Sequence, residues 1–460
     1  MSFFLKLKYI FLILLVVFIL PFDVYAVYDP INVHNNKVGI GLLSPESEIE
    51  EAASMVNSNG DWGYVLLLVT KNERDIDRWR GVFHQLSKYH LIPIVRIATK
   101  FDQGSWQRPE KDDAAQWAEF LSALPWPTKI RYVQVYNEVN HGSEWGGQVD
   151  PKSYTDELSK TISELKRRSD DFFVLGAPLD LALMENSEGA MSADIYFAQM
   201  EEHKGGIFKE FDGLASHSYP NPEFSASPLK SGRTGIDGYK WELSVLSPYL
   251  NGKNLPVFIT ETGWKRSEVL TEETVSDYFE ASFRDIWNDE RVVAVTPFIF
   301  NYPESLFYDF SFKVQGQVLG KKYFDQYTTI ANLDKIAGSP AREDLASEIK
   351  SNIPEFVVRD VGKRVKITFK NKGHYIWHTS DLKLETNSKD AGMWDISFEK
   401  EEIFPGEDTN VSMWLKATNT GSIPLEFAVF NNSKLLSSKS YIVRSETELE
   451  RTWRILKALI

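Results

Sequence analysis

The chain has 460 residues, 43% hydrophobic and 25% charged, a balance that excludes a disordered protein and supplies apolar surface for a large core. It contains no cysteine, which excludes disulfides, a thiolate metal site and a cysteine nucleophile. A net charge of -14 argues against a nucleic-acid partner, whose phosphates demand a basic surface.

The first element in chain order is a targeting pattern. Lys6 and Lys8 precede an apolar run from Tyr9 to Leu20, Pro21 ends it, and Val24-Tyr25-Ala26 supplies small residues at a cleavage position. Residues 1–26 therefore read as a secretory signal peptide; the alternative is an uncleaved anchor, although the run is short for a membrane span. The protein is expected to be secreted, periplasmic or cell-surface, and to meet a membrane only if this segment stays attached.

From residue 27 to 335 short apolar runs alternate with helical spacing. The runs are Val38 to Leu43, Tyr64 to Val69, Ile92 to Ala98, Arg131 to Tyr136, Phe172 to Ala177, Phe211 to His217, Leu255 to Thr260 and Val292 to Phe300. Near-continuous apolar strands suit a parallel sheet covered on both faces. The stretches between them carry one-sided stripes, such as Tyr154, Leu158, Ile162 and Leu165, or Val275, Phe279, Phe283 and Ile286. Eight strand–helix units predict an α/β fold, a (β/α)₈ TIM barrel. A doubly wound sheet is the rival, but Gly39 and Gly41 lie inside the first strand with no third glycine to form a phosphate turn.

The pattern then changes. Residues 336–355 read as a linker. Residues 356–443 alternate with period two, as in Val365, Ile367 and Phe369, with turn signals at Asn371-Lys372-Gly373, Pro405-Gly406 and Asn419-Thr420-Gly421. This predicts a small all-β sandwich. Residues 444–460 form a helical tail with Leu449, Trp453, Leu456 and Ile460 on one stripe.

In such a barrel, chemistry sits where the strands end. The fourth strand runs into Asn137 and Glu138, and the seventh into Glu261. Two carboxylates facing one cavity suit the hydrolysis of a glycosidic bond, one giving a proton to the leaving oxygen and the other attacking the anomeric carbon. The separation of 138 from 261 along the chain says nothing of their distance in space.

An Asn-Glu pair ending the fourth strand with a Glu ending the seventh resembles clan A of the glycoside hydrolases, retaining, cellulase-like enzymes on (β/α)₈ barrels. The resemblance spans roughly residues 35 to 335. It implies cleavage of β-glycosidic bonds by double displacement, with Glu138 as acid/base, Glu261 as nucleophile and Asn137 on the sugar 2-hydroxyl. It also implies that the His-x-Tyr of the sixth strand lines the sugar site, Tyr219 orienting Glu261 and His217 touching substrate.

Arg96, inside an otherwise apolar third strand, needs an anionic partner; the nucleophile and a structural ion pair are both open, since the arginine of the resembled enzymes lies nearer the floor on a neighbouring strand. Trp264 and Trp145 follow the two glutamates and are candidate sugar-stacking platforms, with core packing as the competing role. Trp106 and Glu144 are weaker candidates. The tryptophan that commonly ends the eighth strand in the resembled enzymes is missing, which leaves Phe300 or Tyr302 to take its place at the inner subsite.

No H-E-x-x-H motif, calcium-loop spacing, G-x-S-x-G elbow or glycine-rich phosphate loop is present, so no metal and no cofactor is expected. The partner is expected to be an oligo- or polysaccharide substrate, with no nucleic acid. Trp377, Trp394 and Trp414 fall in the sandwich, as core or as a carbohydrate platform; that domain resembles the immunoglobulin-like modules appended to many secreted glycosidases. A carbohydrate-binding or scaffold barrel with weak or lost turnover is the alternative function, and a surface protein that binds through its sandwich is a third.

Overall fold

The computed structural model describes residues 29–184, 189–316, 320–345 and 349–459, so the signal segment and Ile460 lie outside the described residues. Eight parallel strands form the first unit: β1 (Gly39–Leu42), β2 (Tyr64–Thr70), β3 (Ile92–Ala98), β4 (Arg131–Val135), β5 (Phe172–Leu175), β6 (Leu214–His217), β7 (Val257–Glu261) and β8 (Val292–Val295). A helix follows each: α1 (Pro45–Val56), α2 (Ile76–Lys88), α3 (Asp113–Ser122), α4 (Pro151–Arg168), α5 (Ala193–His203), α6 (Gly238–Leu250), α7 (Glu272–Ala281) and α8 (Asp325–Asn332). Strands β1 to β5 pair in order, as do β6 to β8. Parallel bridges Val38–Val295 and Leu175–Gly213 join the two runs at both seams, so the sheet closes into a (β/α)₈ barrel.

Strand periodicity sorts the side chains. Tyr64, Leu66, Ile92, Ile94, Tyr132, Phe173, Leu175, Ala215 and Phe258 fill the interior in one cluster. The alternate residues, such as Val65, Leu67, Val95, Val133 and Ile259, pack with the helices in a second. Close packing at the β1–β8 seam requires Gly39, where a Cβ would lie 2.7 Å from Thr296 and 2.8 Å from the Tyr64 carbonyl.

The C-terminal unit packs two four-stranded sheets over one core that contains Val365, Phe369, Trp377, Met413 and Phe427. Its long strands are β9 (Phe356–Val358), β10 (Lys363–Lys370), β11 (Leu382–Thr386), β12 (Ala391–Phe398), β13 (Asp408–Ala417), β14 (Gly421–Asn431) and β15 (Lys434–Glu446). One sheet runs β12, β13, β10 and the short strand Lys350–Ser351; the other runs β9, β15, β14, β11. Strand pairing continues to Glu446, and the tail helix α9 begins only at Glu448. Leu449, Trp453 and Leu456 are exposed on it.

The connecting segment is fixed to the barrel floor, the end where strands begin. Gly338 donates to the Asp61 carbonyl and Lys129 to that of Ala341 (2.9 and 2.8 Å). The Arg342 guanidinium lies between Trp62 of the barrel and Tyr375 of the sandwich, 4.5 and 4.2 Å from their ring centres. His84 of α2 stacks on Phe404 at 4.9 Å. The sandwich therefore docks on the floor side, away from the strand ends. Among the described residues no helix is long and apolar enough to cross a membrane.

Candidate active site

Parity decides what enters the barrel mouth. Ile92, Ile94 and Arg96 share one face of β3, so the arginine points inward above two interior apolar residues. Its Nη1 donates to Glu261 Oε1 at 2.6 Å and to Asn137 Oδ1 at 2.9 Å. Both ends of this ion pair are largely shielded, with side-chain exposures of 16% and 12%. The nucleophile candidate is thus the partner of Arg96.

Glu261 reaches the mouth through a bulge. β6 and β7 pair as Ser216 with Ile259 and then His217 with Glu261, so Thr260 is an extra residue on β7. A bulge turns the following side chain to the other face. Here it brings Glu261 beside His217.

Glu138 arrives by a different device. After β4, Tyr136 and Glu138 take left-handed backbone angles, φ 68° and 30°. Such angles are costly for residues with a Cβ and persist only where surroundings impose them. The loop is held by Asn140, whose side chain donates to the carbonyls of Asp180 and Met191 (both 3.0 Å) and accepts from the Asp180 amide (3.0 Å).

His217 joins the two acids. Its Nδ1 shares a hydrogen bond with Glu138 Oε1 at 2.8 Å and lies 3.9 Å from Glu261 Oε2. Burial disfavours its charged form, but the charges of Glu261 and Glu138 outweigh it and hold the imidazole above its usual range. The Tyr219 hydroxyl donates to Glu261 Oε2 at 3.1 Å. Burial, with those same carboxylates, pushes its pKa well up, so it stays protonated as a donor. Each Glu261 oxygen is therefore held by a different group.

A third carboxyl belongs to the cluster. Glu144, on a short 3₁₀ turn after Glu138, shares a small pocket with Arg96, Trp106, Tyr136 and Asn137. Burial, with the charges of Glu138 and Glu261 adding and Arg96 opposing, pushes its pKa up to about 7. The sequence ranked it low because a glutamate in a polar loop has no pattern of its own. Half-buried Trp106 lines this pocket, on a hairpin of Phe101–Asp102 and Ser105–Trp106.

Three aromatic expectations are corrected. Trp145 is 1% exposed, packed edge-on against Tyr136 and Tyr154. Trp264 is also 1% exposed, its indole N–H donating to the Ala226 carbonyl (2.8 Å) and its ring packed on Phe279 and Trp287. Neither offers a face to a sugar. Phe300 is likewise in the core, near Tyr323 and Tyr327. β8 ends at Val295, so alternation does not carry to residue 300. Partly exposed Phe298 stands instead in an aromatic wall with Phe307 and Phe310, and Phe310 meets Tyr219.

Among the described residues no group of three or more potential ligands is placed to hold a metal ion. His374 and His378 are spaced as H-x-x-x-H, but this segment is not helical. His374 accepts from the Glu343 amide, while His378 faces Glu402.

Behind the site, Ser216 faces outward toward α6. Its hydroxyl hydrogen-bonds Glu242 and lies 2.8 Å from that of Ser218. Glu242 is fully enclosed, and burial pushes its pKa up to about 8.

The fold and mouth define a closed (β/α)₈ barrel with two carboxylates at the ends of strands four and seven. No family model and no curated protein matches the chain. Solved structures similar to it include a family 39 glycoside hydrolase from the gut symbiont Bacteroides cellulosilyticus WH2, at TM-score 0.46 and 10% identity over 84% of this chain and 82% of that one. The catalytic domain of the Bacillus sp. JAMB-750 GH26 endo-β-1,4-mannanase is similar at TM-score 0.43 and 14% identity, over 66% and 87% of the two chains. A modular Cellulomonas fimi endo-β-1,4-mannanase is similar at TM-score 0.39 and 11% identity, over 90% and 94%.

The buried Glu242 sets a pH dependence of stability. Below about pH 4.5 it is protonated in folded and unfolded chains alike. Between there and about pH 8 only the unfolded chain releases the proton, so stability falls as pH rises. Glu242→Gln is expected to remove this slope and to gain on the order of a few kcal/mol over the native chain at pH 8, with little difference at pH 4. Urea unfolding at both pH values checks it; parallel curves for the two proteins would refute it.

Proposed function

We propose that the protein is an exported glycoside hydrolase that cleaves β-glycosidic bonds with retention of anomeric configuration. The observation that carries this is the mutual placement of Glu138, His217 and Glu261. His217 Nδ1 lies 2.8 and 3.9 Å from oxygens of the two acids, so those oxygens are no farther apart than these distances end to end. That bound lies near the lower edge of the separations of about 6.5–9.5 Å in inverting enzymes and admits the roughly 5–5.5 Å of retaining ones.

In the first step the Glu261 carboxylate attacks the anomeric carbon while Glu138 gives its proton to the departing glycosidic oxygen. The bond to that oxygen breaks and a glycosyl ester on Glu261 forms. In the second step Glu138, now a carboxylate, takes a proton from water, whose oxygen displaces Glu261 from the same carbon. Arg96 and Tyr219 fix the aim of Glu261, one on each oxygen. Asn137, held by Arg96, is the residue assigned to the sugar 2-hydroxyl, and its bond from Arg96 supports that role.

A binding barrel without turnover is the second reading. It is favoured by the low exposure of the mouth, where the His217 side chain is 0% and that of Glu261 12% exposed.

On a panel of aryl β-glycosides and β-linked polysaccharides, Glu138→Ala and Glu261→Ala are each expected to lose about 10²–10⁴-fold or more in kcat. A mechanism-based covalent label is expected on Glu261. Sugar release that persists in both variants, or a label elsewhere, would sink the assignment.

Glu144 is expected to shape the pH profile. Its ionisation near pH 7 adds a negative charge to the carboxyl cluster, from which a further proton is then harder to remove. Glu144→Gln is therefore expected to keep most activity at pH 5 and to move the alkaline limb of kcat/KM to lower pH. An unmoved limb excludes the coupling.

Export rests on the lysine-led apolar run of residues 1–26. The full-length chain, expressed with its own N-terminus, is expected outside the cytoplasm with Val27 as its first residue. N-terminal sequencing after fractionation checks this, and Met1 on cytoplasmic protein contradicts it.

A further inference from the structure

Of the three sandwich tryptophans, Trp377 is buried in the core, its indole N–H donating to Asp344 at 2.6 Å. Trp394 and Trp414 are different. They stand directly opposite one another on β12 and β13. Trp394 is 44% exposed and Trp414 half-buried, and their rings are nearly parallel, 12° apart in plane with centres 6.3 Å apart. Both lie on the outer face, since the intervening residues Met413 and Leu415 enter the core. An indole this exposed leaves a large apolar face in water, which folding alone does not favour. Parallel planes with centres this close form an offset stack, which leaves the outer face of Trp394, on the edge strand, to match the C–H face of a sugar ring.

The charge around them narrows the ligand. Arg364 of β10 stands opposite Trp414, which makes a row of Arg364, Trp414 and Trp394 across three strands. The next row holds Lys366, Ser412 and Ser397, and Lys416 lies two residues beyond Trp414 on the same face. Arg364, Lys366 and Lys416 enter no ion pair among those between described residues, although the chain as a whole carries a net charge of -14. The acids nearest in sequence are Asp395, on the bulge after Trp394, Asp390, whose carboxylate accepts from Asn419, and Asp360, which pairs with Arg359; Glu399 accepts from Asn410. Exposed Arg364 and Lys366 and half-buried Lys416, outside the ion pairs between described residues and beside an aromatic face, suit an anionic sugar.

We propose that this face binds an acidic polysaccharide, a sugar ring stacked on Trp394, which Trp414 backs, and its uronate carboxylates met by Arg364 and Lys366. A guanidinium takes a carboxylate with two parallel hydrogen bonds, which fixes the ring above the neighbouring indole. Exposed ion pairs alone are weak, so the stacking supplies the holding energy and the cations the choice of polymer. Hydroxyls of Ser412 and Ser397 complete a polar border. The site is independent of the barrel mouth and of any turnover there.

The test is native gel electrophoresis of the full-length protein through gels containing alginate, polygalacturonate or a neutral β-glucan. A Glu261→Gln background, its fold verified by thermal unfolding, removes the proposed nucleophile, and the size of each polymer recovered from the gel shows that it stayed intact. Retardation is expected on at least one acidic polymer, weakening with added salt, and not on the neutral glucan. Trp394→Ala is expected to weaken retention at least tenfold, and Arg364→Ala to weaken it and reduce its salt dependence. Trp394 is exposed, so its loss leaves the fold intact, which thermal unfolding verifies; Trp414→Ala is the second variant. Equal retention of Trp394→Ala and parent, equal retardation on the neutral glucan, or no retardation on either acidic polymer overturns the proposal. None of these results bears on sugar release by the barrel, which separate assays of the native chain measure.

Discussion

The ion pair between Arg96 and Glu261 constrains everything else at the barrel mouth. A guanidinium inside a barrel lined with Ile92, Ile94, Tyr132 and Phe258 has lost most of its water, and a lone charge there is untenable. Removing one partner of such a pair typically costs about 3–5 kcal/mol, because the other is left uncompensated. Strand β3 therefore dictates that a carboxylate stand opposite it, and β7 delivers one only because the extra residue Thr260 shifts the pairing at its end. The same guanidinium nitrogen also holds Asn137, so one cation orders residues from β4 and β7 at once.

Proton sharing follows from this crowding. Glu261 and Glu144 both face Arg96, while Glu138 meets His217, so three carboxyl groups share two cationic side chains. The surroundings respond in two ways: the imidazole of His217 is held above its usual range, and Glu144 retains its proton up to about pH 7. Both keep the cluster closer to neutrality, as interacting sites in a low dielectric must.

How much of this was legible in the sequence depended on whether a pattern tied a residue to a face. Strand runs such as Tyr64 to Val69 and Ile92 to Ala98 announced a buried parallel sheet, and a charged residue inside one of them marked Arg96. Glu138, Glu261, His217 and Tyr219 were legible because strand ends define a rim. Trp145 and Trp264 were not, since a tryptophan just beyond a strand end can turn toward the mouth or back between sheet and helices, and here both turn back. Phe300 failed for a related reason: pairing stops at Val295, and without pairing alternation has no meaning. Glu144 carried no signal because its environment is made by the fold of one short loop.

The separation of the two units has a physical consequence. Phe404 and Pro405, which contact α2, immediately precede β13, whereas Trp414 lies six residues along that strand from its first residue. At about 3.4 Å per residue this carries the indole pair roughly 20 Å from the barrel contact. The docked end of the sandwich is tied down by Arg342 between two aromatic rings, by Lys129 and by the stacked His84. Its far half carries a stacked indole pair, covered in part by Gly362, and exposed cationic groups. A sandwich needed only to brace the barrel floor has no reason to display indoles at its distal end, where a polar surface costs less. Their presence there is what an added function demands and what bracing does not explain.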